Sequence, residues 1–287
     1  MKTKPSVKNI FFPEAREDVS KLVALAEQGD AKAQNTLGFK YSHGEGVRQD
    51  YSEAMKWYHK SAEQGNIAAQ YNLAVMYYKG KGVPQDYSEA VKWYRTTAEQ
   101  GDAVAQNNLG FMYHKGKGVP QDYSEAMKWY HKSAEQGNAE AQNNLGLMYY
   151  NSEGVPQDCP KAMKWYRRAA EQGDMLAQYN LGIMYAEGQG IPQDYSEAVK
   201  WIRKAAVQGL PEAQYYLALM YGNGEGVRQD SVQRYMWLKL AAAQNNHAAM
   251  RVLDKVEKIM TPQQIAKGKR LAREWVHLCL QFLTPSC

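Results

Sequence analysis

Apolar residues in this chain recur at helical spacing in two kinds of short block, and the blocks themselves recur. In the first block, Ala33, Gln34, Leu37, Gly38 and Tyr41 share one face of a helix. Its leucine returns at Leu37, Leu73, Leu109, Leu145, Leu181 and Leu217, and its tyrosine at Tyr41, Tyr77, Tyr113, Tyr149, Tyr185 and Tyr221. Beside them runs a small residue, at Gly38, Ala74, Gly110, Gly146, Gly182 and Ala218, which favours close approach of a neighbouring helix over helix propensity. The second block carries Ala54, Trp57, Tyr58, Ser61 and Ala62 and ends in Ala-Glu-Gln-Gly. The alanine of that tetrapeptide stands at Ala26, Ala62, Ala98, Ala134 and Ala170, then in degraded form at Ala206 and Ala242, always 36 residues apart. A fixed period of this size makes one period one supersecondary unit.

The two blocks predict a helix A and a helix B in each of six repeats, at 31–66, 67–102, 103–138, 139–174, 175–210 and 211–246. Between them lies Gly44-Glu-Gly46-Val47, whose glycines suit the left-handed end of a helix. The second glycine is present in every copy, and the first is replaced only by Ser152. Asp50 then precedes helix B with Glu53 three residues on, the pattern of a capping box. Outside the repeats, residues 1–12 read as a flexible tail and 13–30 as an N-terminal capping helix with Val19, Leu22, Val23 and Ala26 on one face. Residues 247–287 read as C-terminal capping helices, the last starting at Thr261-Pro262-Gln263-Gln264 and carrying Ala272, Trp275 and Cys279. Trp275 and Leu280 offer a dimer or partner contact as the alternative to simple capping.

A hairpin of two helices cannot cover its own apolar faces and must stack on its neighbours. The pattern Ala-x-Ala-Gln-x-x-Leu-Gly-x-x-Tyr, Gly-x-Gly-Val-Pro-Gln-Asp-Tyr-Ser-Glu-Ala-x-Lys-Trp-Tyr and Ala-Glu-Gln-Gly resembles the Sel1-like repeat, a relative of the tetratricopeptide repeat. The resemblance covers about 31–246 and implies an all-α, right-handed solenoid that binds a protein or peptide and is not an enzyme.

Composition narrows the chemistry further. A formal charge of +5, with acidic and basic residues interleaved, does not favour a nucleic-acid partner. Cys159, Cys279 and Cys287 are too scattered for a disulfide framework or a zinc site. No run of about 18 apolar residues would span a membrane, and residues 1–12 lack an export signal's apolar core. The chain as it stands therefore reads as cytoplasmic, and as periplasmic or secreted if a leader has been removed. His59 and His131 share a column with Arg95, Arg167, Arg203 and Lys239, which reads as a basic, solvated position. No metal or cofactor site is expected, and neither Gly-x-Ser-x-Gly nor Ser-x-x-Lys is present. A hydrolase acting through a cleft at the C-terminal end, and an exported bacterial factor engaging host or envelope proteins, are the alternatives. A monomer is expected.

In a stack of repeats, the positions that differ between copies carry the binding information. Opposite the Leu37/Tyr41 stripe are three such columns, which by the resemblance correspond to ligand-facing positions on the concave side. The first reads Asn35, Tyr71, Asn107, Asn143, Tyr179 and Tyr215; the second begins Phe39, Val75, Phe111 and Leu147; the third reads Ser42, Tyr78, His114, Tyr150, Ala186 and Gly222. The first and third columns are expected to be exposed, with amides able to bond an extended peptide and tyrosines offering rigid contact area.

Overall fold

A computed structural model of the protein describes residues 13–282, with side-chain surroundings from 19 to 278. The expected tail at 1–12 and the last five residues lie outside the described residues. Those described form helices and turns without a strand, and they divide into two compact units after Gln136.

The first unit holds α1 (Pro13–Glu27), α2 (Ala31–His43), α3 (Tyr51–Glu63), α4 (Ile67–Lys79), α5 (Tyr87–Glu99), α6 (Ala103–Lys115) and α7 (Tyr123–Glu135). After α1, its even-numbered members are A helices and its odd-numbered ones B helices. The second holds the A/B pairs α8 (Ala139–Asn151) and α9 (Cys159–Glu171), α10 (Met175–Glu187) and α11 (Tyr195–Val207), α12 (Pro211–Asn223) and α13 (Ser231–Ala243). It is completed by α14 (His247–Glu257) and α15 (Pro262–Phe282).

Helix A meets helix B of its own hairpin at the small-residue column. A Cβ on Gly38 would lie 2.7 Å from the Tyr58 ring, and one on Gly146 would lie 2.6 Å from the Tyr166 ring. The lost helix propensity of glycine, about 1 kcal/mol against alanine, is thus exchanged for close packing on a fully buried tyrosine. Leu37, Leu73, Leu109, Leu145, Leu181 and Leu217 are all 0% exposed, and each contributes about 1.5–3 kcal/mol of burial as an upper bound.

The turn between the helices explains why only one of its glycines is replaceable. Gly44, Gly80, Gly116, Gly188 and Gly224 cap their A helices in the left-handed region, and Ser152 does the same at φ 61°. Around Gly80 a Cβ would find its nearest atom at 3.1 Å, tight but adjustable. At Gly118 it would meet the Tyr87 backbone at 2.3 Å, and at Gly226 the Tyr195 carbonyl oxygen at 2.1 Å, both belonging to the preceding repeat. The second glycine is therefore held by backbone conformation and by contact together.

The capping box of helix B is only half formed. Asp50 Oδ1 accepts from the backbone N–H groups of Ser52 at 2.9 Å and Glu53 at 3.0 Å. The reciprocal bond is pre-empted, because the Asp50 N–H donates to the Tyr41 carbonyl at 2.9 Å, and the same closure recurs at Asp86, Asp122, Asp158, Asp194 and Asp230. Glu53 pairs instead with Lys56 at 2.5 Å, and Glu125 and Glu197 accept from the indole N–H groups of Trp129 and Trp201. A complete box forms at α15, where the Thr261 N–H donates to Gln264 Oε1 at 2.9 Å and the Gln264 N–H to Thr261 Oγ1 at 3.2 Å.

Buried glutamines join one repeat to the next. Gln34 Nε2 donates to the Ala26 carbonyl of the preceding B-type helix, and its Oε1 accepts from Gln64 Nε2 at 2.7 Å. Gln70 with Gln100 and, in the second unit, Gln178 with Gln208 repeat the arrangement. This accounts for the glutamine in both the Ala-Gln and the Ala-Glu-Gln-Gly motifs. At the start, Ala26 is buried against Ala33 and Leu37, with Leu22 and Val23 beside them. At the other end α13 packs on α14 and α15: a Cβ on Gly268 would lie 2.5 Å from the Tyr235 ring, and Trp237 and Trp275 meet edge to face at 5.3 Å. The contact suggested for Trp275 thus includes an intramolecular one, while the Leu280 side chain lies outside the described residues.

Candidate interaction surface on the A helices

Two of the three variable columns are less exposed than their polarity suggests. Asn107, Asn143 and His114 are 0%, 3% and 7% exposed, while Asn35, Tyr71, Tyr78, Tyr150, Tyr179 and Tyr215 are half-buried. The reason is that column 35 packs sideways against the column that follows it in the next A helix. Asn72 donates to Asn35 Oδ1 at 3.2 Å and Asn180 to Asn143 Oδ1 at 3.1 Å, Asn108 reaches the Tyr71 hydroxyl at 3.4 Å, and Tyr179 meets Tyr216 edge-on at 6.5 Å. The expectation of freely exposed amides is corrected accordingly: Asn35 and Asn143 join neighbouring helices. Burial pushes the Tyr179 phenol up and the Tyr216 phenol up to about 12, so both are neutral at physiological pH.

The middle column is exposed at one copy. Phe39 is 40% exposed and stacked on His43 at 4.0 Å, whereas Val75, Phe111 and Leu147 are half-buried. In the third column His114 is enclosed by the Tyr123 and Tyr130 rings, and Tyr78 leans on Tyr87 at 5.4 Å. Aromatic area is therefore presented chiefly by Phe39 and by the partly open faces of Tyr71, Tyr78, Tyr150, Tyr179 and Tyr215.

Sequence reasoning missed the first turn of the A helices. Ile67 and Val104 in the first unit, and Met175 and Leu176 in the second, are 39–49% exposed. The column of Ile67 and Met175 holds alanine or Pro211 in the other copies, whereas that of Val104 and Leu176 includes Lys32, Glu140 and Glu212. That swing from charge to large apolar side chain was the available signal, hidden because helix starts read as caps.

In the basic column of helix B, Arg95, Arg167, Arg203 and Lys239 are exposed as expected while His59 and His131 are half-buried, and several members make specific bonds. Arg203 donates to the Tyr221 hydroxyl at 2.9 Å, Arg95 and Arg167 do the same to Tyr113 and Tyr185, and the Tyr77 hydroxyl lies 3.3 Å from His59 Nε2. Arginine planes over tyrosine rings add a cation–π contribution. Tyr77, Tyr113, Tyr185 and Tyr221 are thus half-buried hydrogen-bonding residues tied to the preceding repeat, whereas the leucines fill the core.

Among the described residues no group of three or more His, Cys, Asp or Glu could hold a metal, and no helix is long and apolar enough to cross a membrane. A cavity of about 1030 Å³ lies in the second unit between α13 and α15 and is lined by Val207, Asp230, Ser231, Trp237, Glu274 and Trp275 among others. No histidine lines it among the described residues.

Repeated A/B hairpins joined by buried glutamines define an α-helical repeat protein of the solenoid class. The chain belongs to the Sel1 repeat family, whose model matches residues 31–66, 67–102, 103–138, 139–174, 176–210 and 211–246. Among solved structures it is similar to a Sel1 repeat protein from Oxalobacter formigenes, at 36% identity and a TM-score of 0.76, over 84% of this chain and 70% of that one. It is also similar to c5321, described as a protective antigen present in uropathogenic Escherichia coli strains, at 31% identity over 92% of this chain and 72% of that one, with a TM-score of 0.40. A comparison with functionally curated proteins returns no match. Sel1 repeat proteins generally mediate protein–protein interaction and are generally non-enzymatic.

Proposed function

We propose that this chain is a scaffold that captures a segment of a partner protein on the A-helix faces. The observation that carries the reading is the combination of Phe39, Tyr71, Tyr179 and Tyr215, still open to contact, with exposed Ile67 and Val104 beside Tyr71 and exposed Met175 and Leu176 on the helix of Tyr179. Large apolar residues left exposed next to anchored tyrosines supply contact area at small entropic cost. The backbone beneath is fixed by the glutamine and aspartate bonds, so the surface is pre-organised.

The chain acts without chemistry of its own in this reading. Among the described residues that line it, the cavity between α13 and α15 carries Ser231, Asp230 and Glu274 but no histidine to serve as the serine's base. Affinity capture tests the proposal. The combination Phe39→Ala, Tyr71→Ala and Tyr215→Ala should release the partner while leaving the helical circular dichroism unchanged. Undiminished capture by that folded variant refutes the A-helix face as the binding surface.

A further inference from the structure

One position of the A helices is filled differently from repeat to repeat, and the difference opens a specific cavity. Between the second and third repeats the Tyr78 ring leans on Tyr87, and Lys117 reaches back over both. Its Nζ lies 5.1, 5.2 and 5.4 Å from the ring centroids of Tyr78, Tyr87 and Phe111, and donates to the Tyr78 hydroxyl at 3.1 Å. A phenol and an ammonium thus complete a three-ring cluster.

One repeat earlier, the residues in the same columns are Ser42, Tyr51, Val75 and Lys81. Tyr51 and Lys81 are kept, with Lys81 Nζ 5.0 Å from the Tyr51 centroid. The two rings that Tyr78 and Phe111 supply are replaced by a hydroxymethyl and an isopropyl group. In their place stands a cavity of about 260 Å³, bounded by Ser42, Tyr51, Tyr58, Val75, Met76 and Lys81. Lys79 and His43 also border it, and no carboxylate does.

We propose that this cavity receives a tyrosine side chain from an acidic segment of the partner protein. The ring would take the place that Tyr78 takes one repeat on, and its hydroxyl would accept from Lys81 as the Tyr78 hydroxyl accepts from Lys117. Lys79, Lys81 and His43 at the border select acidic neighbours for that tyrosine. The proposal rests on the scaffold reading and deepens it, naming one anchor of the captured segment.

The probe is the blocked tripeptide Ac-Glu-Tyr-Glu-NH2, titrated to millimolar concentration into the isotope-labelled chain and followed by amide NMR. Shifts centred on Ser42, Tyr51 and Lys81 are expected. Ser42→Tyr supplies the missing ring from within and should weaken binding about tenfold or more. Val75→Phe rebuilds the other wall and should do the same, guarding against a folding defect in the first variant. Lys81→Met should abolish the preference for the tyrosine peptide over its phenylalanine analogue. Absence of shifts at these residues, unchanged binding by both filled variants, or equal binding of the phenylalanine analogue by the unaltered chain overturns the proposal. Partner capture that survives Ser42→Tyr but is lost in the Phe39, Tyr71 and Tyr215 combination would leave the scaffold reading standing and remove this cavity from it.

Discussion

The third repeat, α6 with α7, and the sixth, α12 with α13, are built on one plan and depart from it in three places. In the third, Gly110 faces Tyr130, His114 and Ala126 occupy a second pair of columns, and the Trp129 indole donates to Glu125. In the sixth, Ala218 and Leu238 occupy the first pair of columns, Gly222 and Arg234 the second, and Gln233 replaces the glutamate. The large and small partners of the second pair have exchanged sides: a Cβ on Gly222 would lie 2.8 Å from Arg234 Nε. The third change is left uncompensated, and the Trp237 indole nitrogen is buried without a hydrogen-bond partner. The exchanges of large for small residues within one hairpin are thus absorbed locally, the loss of the glutamate is not, and the turn glycine that touches the preceding repeat is not replaced.

The most severe test of that comparison is the part both hairpins share. Gly118→Ala and Gly226→Ala each add a left-handed strain and a backbone clash, and each should cost about 2–5 kcal/mol in denaturant unfolding. A variant unaffected in one repeat would show that the turn is not equivalent in the two. Next comes the exchanged pair. Gly222→Ala should destabilise by about 1–3 kcal/mol, and adding Arg234→Ala should recover most of that loss in a double-mutant cycle. Simple additivity would mean the two positions are uncoupled.

Gln233→Glu should move the sixth repeat toward the third, giving Trp237 the acceptor that Trp201 and Trp129 have and placing a negative charge in the first turn of α13. A gain of about 1 kcal/mol, or 2–4 °C in the melting midpoint, is expected. The smallest effect is on pH dependence. Burial holds the His131 imidazole below its ordinary pKa, so its protonation favours the unfolded chain. Its contribution is present above about pH 6.5 and is lost as pH falls through the lower folded value. His131→Gln should flatten that part of the stability profile in acid titration of the melting midpoint, whereas Lys239→Gln, in the matching column of the sixth repeat, should not.

The hairpins, their 36-residue interval and the A-helix leucine core were legible because they depend on local spacing repeated six times. The same repetition allowed the close packing at Gly38 to be read, since a costly small residue kept in one column implies a neighbour. The candidate surface was less legible. Asn35 and Asn143 look like free amides in a list of columns, and only stacking reveals that the column beside them in the next helix lies against this one. Glu53 looked like half of a capping box because the Tyr41 carbonyl, nine residues upstream of Asp50, cannot be seen as a competing acceptor until the turn closes. Ile67 and Leu176 were overlooked because a helix start is read for its cap before its apolar content.

The bond from the Asp50 N–H to the Tyr41 carbonyl spans nine residues, and the glutamine pairs span thirty. Polar contacts this short in sequence repeat in register, so excising residues 67–102 would bring Gln106 against Ala62 just as Gln70 stands now. The chain's length is therefore editable in whole steps of 36, by loss or duplication, without orphaning a buried amide. An insertion of any other size would break the register at once.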